Sequence, residues 1–139
     1  MANINRQWRK FTAAGCSHGH LADPEALKAV LTFTERYKPD TRIHLGDFTD
    51  QAAFRSGAKG TRDETVSIKD DLTAGLRFLQ EFRPTILFNG NHEDRLWNLA
   101  DHHNEIVSMA ASAVINEICT LARKLKCRHI DHSDINRSY

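Results

Sequence analysis

With 139 residues, 40% hydrophobic and 27% charged, the chain has the composition of one ordinary globular domain able to bury a core. A formal net charge of +1 excludes the broad basic field of a strong nucleic-acid binder, so nucleic acid is a partner that charge does not support. No run reads as long enough to span a bilayer, so no membrane association is expected. Residues 1–10 are polar and basic without an apolar stretch behind them, which is not a secretory signal, and the cytoplasm is the default compartment.

The elements alternate in type along the chain. Residues 11–15 are a short apolar run closed by glycine, the first predicted strand. A helix then starts with Asp23 as N-cap, Pro24 at its first position and Glu25 in its first turn, with Leu27, Val30, Leu31 and Thr34 as its inward stripe. Lys38-Pro39-Asp40 stops it, and residues 42–45 form the second strand, ended by Gly46. Residues 51–63, with Gly57, Gly60 and several charges, read as an exposed loop. A second helix is predicted over about 64–82, with Leu72, Gly75, Leu76 and Leu79 at helical spacing. Residues 85–88 make the third strand. The most regular helix covers about 104–125, where Val107, Ala110, Val114, Ile118, Leu121 and Leu125 recur on one face and Arg123 and Lys124 complement the dipole at its end. A fourth strand begins over 128–131, and the tail beyond is polar. Alternating strands and helices imply an α/β layer with a largely parallel sheet.

Cys16, Cys119 and Cys127 form an odd, widely spaced set without Cys-x-x-Cys, which suits a reducing compartment. Cys119 on an apolar helix face and Cys127 at a strand start are expected to be buried thiols. Cys16 differs because it lies within a motif.

Three motifs sit at strand ends: Cys16-Ser17-His18-Gly19-His20, Gly46-Asp47-Phe48-Thr49-Asp50 and Gly90-Asn91-His92-Glu93. In open α/β sheets ligands collect beyond the carboxyl ends of the strands, so these distant residues can converge. Phosphoester hydrolysis needs an activated nucleophile and neutralised phosphoryl oxygens, which two metal ions about 3.5–4 Å apart provide. Asp47 suits a bridging carboxylate, and Asn91 offers a neutral carbonyl oxygen to one metal. His92 suits transition-state stabilisation or protonation of the leaving oxygen. Asp50 and Glu93 suit supporting positions, orienting imidazoles and balancing charge.

The chain here resembles the calcineurin-like metallophosphoesterase superfamily, whose pattern runs Asp-x-His, Gly-Asp-x-x-Asp, then Gly-Asn-His-Asp/Glu. The second and third motifs match without departure. The resemblance implies Asp47 as bridging ligand, Asn91 as ligand of the second metal, His18 as ligand of the first and His92 as the substrate-facing imidazole. It implies a metallophosphoesterase-like layered sheet with flanking helices, a phosphate-ester substrate, and divalent ions, two of them, drawn from manganese, zinc or iron.

Two departures follow. Cys16 stands where the family usually has aspartate: either its thiolate coordinates a softer metal, or it is a small buried residue and the first site is weakened. His20 either compensates or is a solvent-exposed loop histidine. The family's later lone His and Gly-His-x-His are absent, so the chain reads as a single domain with its second half incomplete. His102 and His103 are expected to be solvated, His129 and His132 to face opposite sides of a strand, and His44 to be a core histidine. A sheet lacking its facing partner would leave apolar surface open, so a homo-oligomer or an aggregation-prone chain is expected. The resemblance implies a metal-dependent phosphoesterase in the full-length form; the alternative, which the absent histidines favour for the chain as written, is a catalytically inactive module of the same fold, acting in binding or assembly.

Overall fold

Among the described residues, four short parallel strands hydrogen-bond in sequential order: β1 (Phe11–Ala14), β2 (Thr41–His44), β3 (Ile86–Phe88) and β4 (Arg128–Ile130). The register pairs Ala13 with Ile43, Ile43 with Ile86, and Ile86 with Arg128. The structure, a computed structural model, describes residues 8–131. Most of the segment 1–10, the polar tail and His132 therefore lie outside the described residues.

The connecting helices are α1 (Pro24–Tyr37), α2 (Ile68–Phe82), α3 (Asn91–Ala100) and α4 (Glu105–Lys124). Their starts follow from local chemistry. Asp23 accepts the Glu25 and Ala26 N–H groups ahead of α1, and Asn104 accepts those of Ile106 and Val107 ahead of α4. The second helix begins four residues later than expected. Thr61 caps a separate 3-10 turn, Arg62–Thr65, and Ser67 caps α2 by accepting the Asp70 N–H, so the two caps divide the segment. The loop 51–63 is also less exposed than expected, because Gln51, Ala52 and Ala58 are buried. Helix α3 has no counterpart among the elements that the sequence predicts. Its first turn lies inside the Gly-Asn-His-Glu motif, and the Glu93 carboxylate returns to accept the Gly90 N–H.

In a parallel sheet of sequential strand order, crossovers of one hand, the rule for such connections, put every connecting helix on one face. Burial agrees with that layout. His44 and Leu87 are fully buried toward the helices, whereas Phe11 and Leu45, on the opposite face, are 62% and 57% exposed. The core on the helix side is Phe48, Leu79, Leu87, Leu96, Val114, Ile118 and Leu121. Each such side chain contributes about 1.5–3 kcal/mol on burial.

Helix α4, with a mean hydropathy of 1.4, is long and apolar enough to cross a membrane by length and composition, which corrects the expectation that no run reaches that length. Its apolarity has a packing reason: Ala111, Val114, Ile118, Leu121 and Ala122 are buried, while Ile106 and Met109 on its other side are exposed.

Candidate metal centre and active site

All three motifs leave the carboxyl ends of β1, β2 and β3. The first and second run together past the sheet, because the N–H groups of Cys16, His18 and Gly19 donate to the carbonyls of Gly46, Asp47 and Phe48 at 3.1, 2.9 and 3.0 Å. The second and third touch backbone to backbone. A Cβ on Gly46, at φ 101°, would stand 2.2 Å from the Gly90 nitrogen, and one on Gly90 would stand 2.1 Å from Asp47 Oδ1. Only glycines permit this approach. Four non-glycine residues of these loops, Cys16, His18, Asp47 and Gln51, have left-handed backbone with φ between 49° and 54°. Such conformations cost of order 1–3 kcal/mol each and gather where a site holds its side chains in one arrangement.

The side chains meet above that frame. Cys16 Sγ lies 3.8 Å from Asp47 Oδ2, and donor atoms of Cys16, His18 and Asp47 all lie within 4.8 Å of one another. Asp47 Oδ1 faces the other way and accepts the His92 N–H at 3.1 Å. The carboxylate therefore spans from the first motif to the start of α3. A second group, His18, Asp50 and His92, is equally close. Asp50 Oδ1 stands 3.2 Å from His18 Nδ1 and 3.4 Å from His92 Nδ1, and the two rings meet edge to face at 4.8 Å. His92 Nδ1 is also 2.5 Å from the Asp50 carbonyl, which only accepts, so that nitrogen carries a proton. The Asp50 carboxylate fixes His18 in the same sense. Asn91 is the exposed first residue of α3, next to His92.

Two buried carboxylates hold the loops in place. Glu93 accepts the N–H groups of Asp47, Gly90 and Thr49 and the Thr49 hydroxyl, at 2.7, 3.0, 2.9 and 2.7 Å. Burial raises its pKa, and these four donors pull the other way. Its carboxylate thus organises backbone rather than an imidazole. Asp71 of α2 accepts the Asp50 N–H at 3.1 Å and the Gln51 N–H at 2.9 Å, and lies 3.0 Å from His20 Nδ1. Arg95 of α3 donates to the Gln51 carbonyl at 3.0 Å. Neither Asp71 nor Arg95 stands out in the sequence, since each acts on loops 20 to 51 positions away. An acid on the inward face of α2 is the one available signal.

The remaining histidines divide. His44 is fully buried among Phe48, Phe78 and Phe82, and burial lowers its pKa to about 4, opposed by the Asp47 charge. His20 is an exposed loop histidine, as one of the two expectations had it, and its Nδ1 lies 3.0 Å from Asp71 Oδ1. His102 and His103 lie against each other in the turn before α4, with His102 Nδ1 accepting the Asn104 N–H. His129 Nε2 lies 2.7 Å from Asn89 Oδ1. Cys119 and Cys127 are half-buried, with thiol pKa values pushed up by burial, Cys127 to about 11. Such thiols are unreactive at neutral pH.

The donor set at the strand ends suits a divalent metal: one sulfur, one imidazole nitrogen and one carboxylate from two adjoining loops, with His18 anchored behind by Asp50. No curated protein and no solved structure matches the chain. The family model for calcineurin-like phosphoesterases matches residues 9–138. With nearly its whole length covered and the motif loops meeting at one end of a parallel sheet, the chain belongs to the calcineurin-like phosphoesterase family.

Proposed function

We propose that this chain hydrolyses phosphomonoesters or phosphodiesters through a site for two divalent ions. The observation that carries the reading is the division of the Asp47 carboxylate, with Oδ2 beside Cys16 and Oδ1 on the His92 N–H. His18 and Asp47 would hold the first ion, and Asp47 would be shared with a second held by Asn91. When bound, such ions (manganese, zinc or iron) lower the pKa of water and neutralise charge on phosphoryl oxygens. His92 works beside them. Its Nδ1–H donates to the Asp50 carbonyl, so Nε2 is the nitrogen left for substrate, and in the doubly protonated ring its N–H would donate to a phosphoryl oxygen or pass its proton to the leaving alkoxide. Asp50 keeps the His18 and His92 rings in one orientation, which removes a reorganisation step from the reaction. The substrate partner is a phosphate ester, and the +1 net charge offers no broad field for nucleic acid.

The test is turnover of bis-p-nitrophenyl phosphate and p-nitrophenyl phosphate with manganese, zinc or iron, compared with Asp47→Asn. Metal-dependent turnover reduced at least about 100-fold in the variant supports the reading. Stoichiometric metal without turnover supports the alternative, a binding module of the same fold.

A further inference from the structure

We infer that the first metal position is a thiolate site, with Cys16 Sγ as a direct ligand, and that it selects zinc or ferrous iron over manganese and magnesium. The inference rests on the metal-centre reading above and adds to it which ion the position takes.

Three observations support it. The 3.8 Å between Cys16 Sγ and Asp47 Oδ2 is long for a hydrogen bond but suits two ligands of one ion. A tetrahedral zinc with Zn–S near 2.3 Å and Zn–O near 2.1 Å separates its sulfur and oxygen ligands by about 3.6 Å. His18 adds the third donor within 4.8 Å of both, and its Nδ1 is engaged by Asp50, which leaves Nε2 for the ion. Cys16 is also presented deliberately: its backbone is left-handed at φ 54°, its N–H is tied to the Gly46 carbonyl, and its side chain is exposed rather than packed. A sulfur kept only as a small core filler would be buried.

The chemical consequence follows from ligand softness. Thiolate favours zinc and ferrous iron, whereas manganese and magnesium prefer a shell of carboxylate, carbonyl and water oxygens. On binding, the Cys16 thiol gives its proton to solvent as the metal–sulfur bond forms, with no change in oxidation state. One sulfur among three protein donors is enough to bias the choice while Asp47 and His18 still supply harder ligands.

The experiment uses the 139-residue chain stripped of metal. Cobalt(II), a spectroscopic substitute for zinc, should produce a near-ultraviolet thiolate-to-cobalt charge-transfer band in the wild type and none in Cys16→Ser. Equilibrium dialysis against equal zinc and manganese should recover mainly zinc, and Cys16→Asp should lower the zinc-over-manganese ratio at least about tenfold. Zinc should also protect Cys16 from alkylation in the unaltered chain, read by peptide mass spectrometry, which needs no variant to fold. Metal binding with no charge-transfer band, no alkylation protection and an unchanged zinc-over-manganese ratio would overturn the thiolate ligand while leaving the phosphoesterase reading intact. A band that survives Cys16→Ser would assign the sulfur to Cys119 or Cys127 and overturn it equally. Failure of the chain to bind any of these metals would overturn both readings.

Discussion

The Glu93 carboxylate accepts the Asp47 N–H at 2.7 Å across 46 positions of sequence, tying the third motif to the second. The same side chain takes three further donors from Thr49 and Gly90, and four donors with no acceptor beside them is the pattern of an ionised carboxylate. Replacing it with an amide turns an NH2 toward an N–H or hydroxyl. Glu93→Gln is expected to destabilise the fold by about 2–3 kcal/mol, read from urea midpoints, and to weaken metal binding at Asp47. An unchanged midpoint would contradict the clamp.

Asp71 performs the matching task from the other side. It holds the Asp50 backbone from α2, and Asp50 in turn faces His18 and His92. Asp71→Asn retains the size but loses two charge-assisted bonds. It should lower kcat about 10- to 100-fold, with a smaller change in KM. Unaltered kcat in a folded variant would show that the loop holds its shape without this acid.

Stability should depend on pH through His44. Its folded pKa is lowered to about 4 against an ordinary 6.5, so between those values the unfolded chain carries more protons. Stability then falls as pH drops through that window, by up to about 3 kcal/mol. Glu93 acts in the opposite direction: its raised pKa adds stability that is present below its ordinary 4.5 and is lost as pH rises above it. His44→Gln separates the two. Between pH 7 and pH 4.5 the wild type should lose more stability than the variant, and equal losses would remove His44 as the cause.

The sheet face opposite the helices carries Phe11 and Leu45 in the open, with Ala13 also exposed. An apolar sheet face of this kind favours self-association. We propose that the chain forms a homo-oligomer or larger aggregates through it. Sedimentation velocity should show species heavier than 15.8 kDa that dissociate in Leu45→Lys, and a monodisperse monomer across micromolar concentrations would count against it.

Much of the layout was legible because its signals are local. Asp23-Pro24, Asn104 and the strand-closing Gly46 mark element ends within a few residues of themselves, and the period of Val114, Ile118 and Leu121 marks a buried face. The misses are long-range. Helix α3 is masked because its first turn is also the third motif, and Ser67 displaces the start of α2 only in competition with Thr61. Asp71 and Arg95 carry no motif, since their partners in the 50–51 loop are reached only once the chain is folded. The buried Gln51 and Ala52 belong to the same lesson, as polar, glycine-containing sequence around them gives no sign of α2 closing over it.

The most direct measurement is hydrolysis of bis-p-nitrophenyl phosphate by the metal-loaded chain and by Asp47→Asn, with bound metal counted in both. The proposed site predicts metal-dependent turnover in the wild type and a loss of at least about 100-fold in the variant. Equal rates in the two proteins, with the wild type carrying its metal, would contradict it.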